Sequence, residues 1–162
     1  MIRAYVALGS NLGNPVSTVD AAIDAMAALR GSILKAMSSL YRTAPVGLKR
    51  QPDFINAVVA LDTRLPAPDL LEQLFQVEAH FGRVRSVRNA PRTLDLDLIL
   101  YGDLIQDDPA LTLPHPRMHE RAFVLAPLDE IAPGLVVPGR GPVAALLEAC
   151  RDQRIHPIQR PS

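Results

Sequence analysis

The sequence predicts an α+β fold in which helices pack against a mainly antiparallel sheet. Short segments with alternating apolar residues recur along the chain, and two longer segments show the three-to-four-residue spacing of amphipathic helices. Glycines and prolines fall mostly at the ends of these segments, where they mark boundaries between elements. With 162 residues the chain is long enough for one domain with a proper core, and we expect residues 1–162 to form that domain.

The first three predicted elements are a strand, a helix and a strand. Residues 2–9 alternate as a strand. Asn14 is a suitable N-cap for a helix that begins at Pro15 and ends before Gly31. Residues 33–42 predict the second strand.

The same order then repeats. A polar loop over 43–53 leads to a strand at 54–62, a helix over 66–81 and a strand over 94–102. The order β-α-β-β-α-β is that of a ferredoxin-like sandwich. Its helices pack on one face of the sheet, which would leave the other face free to carry a site.

The C-terminal third is predicted to be a decoration of this sandwich. Short helices are expected near 117–131 and 142–150. The polar tail at 151–162 contains three arginines and two prolines, and we expect it to be loosely ordered.

Composition excludes several classes of protein. The formal net charge is zero, which argues against a protein that binds nucleic acid or membrane surfaces through a general basic excess. Cys150 is the only cysteine, so no internal disulfide can form. The sequence shows no signal peptide and no run of ~18 apolar residues. We therefore expect a cytoplasmic protein.

The segment 90–100 carries the most informative pattern. Leu94, Leu96, Leu98 and Leu100 alternate with Asp95 and Asp97, so a strand here would place the leucines on one face and both carboxylates on the other. The two aspartates would lie ~7 Å apart along the strand, and Mg²⁺ is a natural counter-ion for such a pair. The alternative is that they sit on a solvated face of an antiparallel sheet.

The arginines before this strand favour an anion site. Arg83, Arg85, Arg88 and Arg92 fall on one connection between a helix and the strand. A cluster of this kind is typical of an anion-binding loop. A divalent metal beside arginines suits a polyphosphate.

Two further segments carry candidate ligands. Phe54 and Asn56 share one face of the third strand, where an aromatic ring beside an amide suits a flat, nitrogen-rich heterocycle. The alternative is that Phe54 is a core residue. In the polar segment 112–123, His115 and Arg121 are candidates for phosphate contacts.

Several blocks occur together in a recognisable order. They are residues 7–13, 41–45, 54–57, 82–85, 91–97, 113–115 and 121–123. With these blocks the chain resembles the 6-hydroxymethyl-7,8-dihydropterin pyrophosphokinases of folate biosynthesis, from about residue 2 to residue 138. The resemblance implies that the β,γ-pyrophosphoryl group of ATP is transferred to the hydroxymethyl oxygen of the pterin, with release of AMP.

The resemblance also implies roles for individual residues. Asp95 and Asp97 would be ligands of two Mg²⁺ ions, and they would form the catalytic set together with Arg83 and Arg92. The residues implied for the co-substrate ATP are Glu78, Arg85, Arg92, Leu98, Thr112, His115 and Arg121. Those implied for the pterin are Thr43, Ala44, Val46, Phe54, Asn56 and Phe123.

Two other functions stay open at the level of the sequence. A metal-dependent nucleotide phosphohydrolase would share the aspartate pair, and a nucleotide- or ligand-sensing domain would share the fold without catalysis. The general base is not identified, although Asp97 could accept the hydroxyl proton. We expect a monomer whose partners are its small-molecule substrates, with no nucleic acid or membrane among them.

Overall fold

The structure is a computed structural model that describes residues 1–44, 52–82 and 94–158. The strands are β1 (Ile2–Ser10), β2 (Ser32–Met37), β3 (Leu40–Thr43), β4 (Phe54–Thr63), β5 (Asp95–Tyr101), β6 (Val136–Val137), β7 (Gly141–Pro142) and β8 (Ile155–Ile158). The helices are α1 (Pro15–Ala27), α2 (Ala67–His80), α3 (Ala122–Ile131) and α4 (Val143–Glu148), with a 3-10 helix at Met118–Glu120.

The main sheet has the strand order β5-β1-β4-β3-β8, and β2 pairs with the other end of β4. Each of these pairings is antiparallel. Since β2 and β3 both line up along β4, they act as one interrupted strand between α1 and β4. The order β-α-β-β-α-β and the predicted ferredoxin-like sandwich are confirmed.

The sequence predicted a single second strand, whereas the structure breaks it between β2 and β3. At the break, Ser38 donates its N–H to the carbonyl of Val58 and accepts the N–H of Val58 on its hydroxyl, both at 2.9 Å. The backbone N–H of Ser39 and the hydroxyl of Tyr41 donate to the carboxylate of Glu130 in α3, at 2.9 and 2.6 Å. Side chains thus accept the backbone N–H groups of Val58 and Ser39 at the interruption.

Both faces of the sheet are packed. On one face α1 and α2 cover a cluster that includes Leu8 and Leu96. On the other face Tyr5 and Val58 pack with Leu125 of α3 in a second cluster. The expectation that this second face is free is therefore wrong over the part that α3 covers. The segment predicted as a decoration forms a third layer of the fold.

A bulge changes the predicted alternation at the end of β5. Val6 pairs with Leu98 and Tyr5 pairs with Leu100, so Ile99 is an extra residue in the ladder. Leu100 consequently packs in the second cluster with Ile99, away from the other leucines of β5. The prediction that Leu100 shares their face is wrong for this reason.

The tail also differs from the expectation. Residues Ile155–Ile158 form β8, which pairs antiparallel with β3 and covers an edge that would otherwise stay open. Ile155 packs against the second cluster and Ile158 against the first. The part of 151–162 that the structure describes is thus tied to the sheet at 155–158. Across the described parts of the chain, no helix is long and apolar enough to cross a membrane.

Candidate active site

The candidate site is built on one row of residues across three neighbouring strands. Asp95 of β5 lies opposite Gly9 of β1, and Gly9 lies opposite Asn56 of β4. Residues that are directly opposite in antiparallel strands share a face. With neighbouring strands ~4.8 Å apart, the backbones of Asp95 and Asn56 are ~10 Å apart. A carboxylate and an amide therefore flank a glycine on the same surface.

Asp97 lies on the same face as Asp95. It pairs with Ala7, and both aspartates are half-buried. Leu94, Leu96 and Leu98 pack in the opposite cluster under α1 and α2. The predicted separation of leucines and aspartates is confirmed over residues 94–98. Leu98 is 2% exposed, so only its backbone could contact a nucleotide on the aspartate face.

Glu78 holds this strand through a hydrogen bond with its backbone. Its side chain is on α2 and the residue is 1% exposed. The backbone N–H of Leu96 donates to Glu78 Oε2 at 2.8 Å. Glu78 was predicted from the resemblance to lie near the nucleotide. The structure gives it a contact with the backbone between the two aspartates.

Gly9 leaves space beside Asn56. A Cβ built on Gly9 would lie 3.0 Å from Asn56 Oδ1, and its next neighbours would be atoms of Ile55 and Phe54 at 4.0 Å. The sequence predicted Gly9 as the last residue of the first strand, and the structure places it inside β1. The available signal was its position at the end of a predicted strand, but its neighbour across the sheet could not be read from the sequence.

Asn56 is oriented by Thr43. The amide Nδ2 donates to Thr43 Oγ1 at 2.7 Å, and both residues are 5% exposed. Phe54 is half-buried on the same face of β4, opposite Thr43, and Ala44 follows β3 as an exposed residue. The predicted pterin residues Thr43, Ala44, Phe54 and Asn56 are thus brought together at one end of β3 and β4.

His115 is anchored to β5 just beyond the aspartates. Its backbone N–H donates to the carbonyl of Ile99 at 3.0 Å. Its ring Nδ1 accepts the backbone N–H of Arg117 at 3.2 Å. Because Nδ1 is an acceptor here, the neutral ring carries its proton on Nε2, which is then a hydrogen-bond donor.

The surroundings of His115 favour the neutral ring. Burial, then the charge of Arg121, lower the pKa of His115 from 6.5 to about 4. The charge of Asp95 acts in the opposite direction, while Arg140 and Arg117 add to the lowering. His115 is therefore neutral at physiological pH.

Arg121 and Phe123 lie at the start of α3. The guanidinium carbon of Arg121 is 5.5 Å from the centre of the Phe123 ring, within the range of a cation–π contact. Helix α3 packs against β4 on the face that carries Val58, which is also the face of Asn56. Thr112 is another residue predicted for ATP, and its hydroxyl donates to the carbonyl of Asp108 at 3.0 Å.

Some predicted site residues lie outside the described residues. They are Arg83, Arg85 and Arg92 of the arginine loop, and Val46 of the loop before β4. Their predicted roles stay predictions.

The donor set around Asp95 suits a magnesium ion that is shared with a substrate. Within residues 1–44, 52–82 and 94–158, no group of three or more His, Cys, Asp and Glu side chains could hold a metal by itself. Mg²⁺ is commonly bound through one or two carboxylates plus substrate phosphates and water. The two carboxylates of Asp95 and Asp97 fit that mode.

The chain matches known proteins over most of its length. The family model described as 7,8-dihydro-6-hydroxymethylpterin-pyrophosphokinase (HPPK) matches residues 5–133. A Pseudomonas aeruginosa protein named 2-amino-4-hydroxy-6-hydroxymethyldihydropteridine pyrophosphokinase is 49% identical over 148 residues, covering 91% of each chain. A Haemophilus influenzae protein of the same name is 44% identical over 155 residues, covering 96% of this chain and 97% of its own length.

Solved structures agree on the fold. Wild-type Plasmodium falciparum HPPK-DHPS with SDX-DHP gives a TM-score of 0.72 at 13% identity and covers 92% of this chain. This chain spans 43% of the length of that solved chain. At such low identity the likeness concerns the fold alone.

Proposed function

The chain belongs to the 7,8-dihydro-6-hydroxymethylpterin-pyrophosphokinase family, and we propose that the face carrying Asp95, Gly9 and Asn56 is its active site. The reaction is the transfer of pyrophosphate from ATP to hydroxymethyldihydropterin, a step of folate biosynthesis. ATP is the co-substrate.

The pterin is assigned to the end of the face near β3 and β4. Asn56 presents an amide whose orientation is fixed by Thr43, and a fixed amide can form paired hydrogen bonds with the edge of a heterocycle. Phe54 and Phe123 would stack on the two sides of the ring. Ala44 and Val46 would complete the edge through the backbone of the loop that follows β3.

The triphosphate is assigned to the end of the face near β5. His115 would donate Nε2–H to a phosphate oxygen as a neutral ring, and Arg121 would add a full positive charge. Thr112 and the backbone of Leu98 would contact the nucleotide. The predicted loop residues Arg83, Arg85 and Arg92 would neutralise further phosphate oxygens.

Asp95 and Asp97 are proposed as the residues that would hold two Mg²⁺ ions. When bound, the metal would supply positive charge that offsets the charge developing on the transferred group. The protein's own task is to position two substrates, because phosphoryl transfer depends mainly on alignment and charge. Glu78 would contribute by fixing the backbone at Leu96, between the two aspartates.

One observation supports this assignment above the others. The register places Asp95, Gly9 and Asn56 in one row across β5, β1 and β4, so the phosphate end and the pterin end share one surface. A phosphohydrolase would need the two aspartates but not the residues assigned to the pterin. A sensing domain would need neither the aspartate pair nor the contact of Glu78 with the backbone between them. The family assignment does not favour those two alternatives.

Binding measurements can test the metal assignment separately from turnover. We expect Asp95→Asn and Asp97→Asn to lower the Mg²⁺-dependent affinity for a non-hydrolysable ATP analogue and to reduce kcat at least ~100-fold, since a metal supplies several kcal/mol of charge stabilisation. The exposed Asp103→Asn is the matched control and should behave like the wild type. If both variants keep Mg²⁺-dependent binding and turnover, the proposed metal ligands are wrong.

Three further expectations stay predictions. We infer that residues 1–162 act as one catalytic domain, that the protein works as a monomer, and that it resides in the cytoplasm.

A further inference from the structure

We propose that the C-terminal segment 150–158 positions two parts of the active site: the start of α3, which carries Arg121 and Phe123, and β3, which carries Thr43. Gln153 is the principal positioning residue of this segment. This inference rests on the proposed function, because it concerns the same residues that are assigned to ATP and the pterin. It adds a segment beyond the match to the family model, which ends at residue 133.

Gln153 fixes the backbone on both sides of Arg121. Its Oε1 accepts the N–H of Ala122 at 3.0 Å, and its Nε2 donates to the carbonyl of Glu120 at 2.8 Å. One planar amide therefore bridges the residue before Arg121 and the residue after it. Phe123 is the next residue along α3.

The start of α3 needs such a partner. Its N-cap residue is Arg121, whose side chain forms no capping hydrogen bond. Helices leave their first N–H groups without partners inside the helix, and a side-chain acceptor normally satisfies one of them. An arginine side chain has no acceptor of its own, so Gln153 supplies the acceptor from a distant part of the chain.

The same segment is tied down at its own start. The N–H of Gln153 donates to the carbonyl of Cys150 at 2.9 Å, and the Cys150 thiol lies 3.7 Å from the carbonyl of His119. Cys150 is buried in the second cluster, 6% exposed. Gln153 is itself exposed, but its backbone is hydrogen-bonded to the buried Cys150, which holds it in place.

The end of the segment pairs with β3. In β8, Ile155 pairs with Thr43 and Ile158 pairs with Leu40 of β3. Thr43 is the residue that orients the amide of Asn56. The segment 150–158 therefore contacts the backbone at the start of α3, beside Arg121 and Phe123, and the backbone of β3 at Thr43.

The test uses the full chain and two ligands: an α,β-methylene analogue of ATP with Mg²⁺, and 6-hydroxymethyl-7,8-dihydropterin. Gln153→Ala should raise the Kd of each ligand about tenfold, a factor that corresponds to about 1.4 kcal/mol. Asp152→Asn, at the neighbouring exposed position, should leave both Kd values within about twofold. Circular dichroism should report the same secondary structure for all of these proteins.

A double-mutant cycle separates positioning from general stability. If Gln153 acts on the nucleotide through Arg121, then Gln153→Ala should change the Kd of the ATP analogue less than about twofold in an Arg121→Ala background. An equal effect in the two backgrounds would overturn the positioning role. Unchanged Kd values in folded Gln153→Ala would overturn it as well.

A second variant keeps the proposal testable if Gln153→Ala does not fold. Gln153→Glu retains an acceptor for Ala122 but replaces the donor to Glu120 with an oxygen that repels the Glu120 carbonyl, so it should raise both Kd values. Wild-type affinity in Gln153→Glu would contradict the bridging role. Failure of the proposed function would be distinguishable, because the wild-type protein itself would then show no AMP formation that depends on the pterin.

Discussion

The carboxylate of Glu78 accepts a hydrogen bond from the backbone N–H of Leu96, with 2.8 Å between Oε2 and N. Leu96 lies between Asp95 and Asp97, whose side chains project from the opposite face of β5. Helix α2 is thus fixed to the strand at the point where the two carboxylates emerge. We infer that this hydrogen bond fixes the backbone from which the proposed metal ligands extend.

Replacing Glu78 should test this arrangement. Glu78→Ala should lower the free energy of unfolding by about 2 kcal/mol, because a buried side-chain hydrogen bond is lost and the Leu96 N–H is left without an acceptor. Glu78→Gln should lose less, since its amide oxygen can still accept. Urea unfolding and the Mg²⁺-dependent Kd of an ATP analogue measure both effects. The exposed Glu72→Ala on the same helix is the control, and equal stability of Glu78→Ala and Glu72→Ala would refute the account.

Gly9→Ala should affect the pterin end selectively. The new Cβ would lie 3.0 Å from Asn56 Oδ1, and its nearest atoms all belong to β4 and none to β5. Overpacking of this kind costs about 1–3 kcal/mol, so we expect the Kd of the pterin to rise about tenfold or more. Titration calorimetry with the ATP analogue on the same variant supplies the internal control. A larger loss for the nucleotide than for the pterin would contradict the assignment of the two ends.

Phe123 should contribute through its ring. Stacking of a base on an aromatic side chain is worth about 1–3 kcal/mol, so Phe123→Ala should raise the Kd of the pterin roughly 10- to 100-fold. Phe123→Tyr keeps the ring and is the matched control, with a Kd within a few-fold of the wild type. Fluorescence titration with the pterin gives both values. If a folded Phe123→Ala binds the pterin like the wild type, the proposed stacking is absent.

His115 should make stability depend on pH in a defined direction. Burial and the charge of Arg121 lower the pKa of His115 to about 4 in the folded protein, against 6.5 in the unfolded chain. The unfolded chain therefore binds more protons between these values, and the stability contributed by the neutral ring is present above about pH 6.5 and lost as the pH falls toward about 4.

Denaturation of the metal-free protein across this range measures that effect. In His115→Gln the free energy of unfolding should fall less steeply with decreasing pH than in the wild type. The exposed His156→Gln on β8 is the control and should keep the wild-type slope. Parallel curves for His115→Gln and the wild type would show that the ring does not contribute in this way.

The parts of the fold that depend on local patterns could be predicted from the sequence. Alternation along β5 indicated which face would carry Asp95 and Asp97, because successive side chains in a strand point to opposite faces. The same rule failed at Leu100. The bulge at Ile99 arises from pairing with β1, and the residues of β5 alone do not predict it.

Contacts between distant segments were the least predictable part of the site. Spacing placed Glu78 on α2, but its bond to Leu96 depends on how α2 lies across the sheet. The polar tail gave no indication that Gln153 would bridge Glu120 and Ala122, since a lone glutamine has no characteristic pattern. Such roles become visible only when the tertiary pairing is known.

The most direct test of the central claim is AMP formation from ATP and Mg²⁺, measured with and without 6-hydroxymethyl-7,8-dihydropterin. The account predicts that AMP appears only when the pterin is present, in an amount equal to the pterin pyrophosphate formed. Release of phosphate or AMP at the same rate without the pterin would contradict it and would indicate a phosphohydrolase.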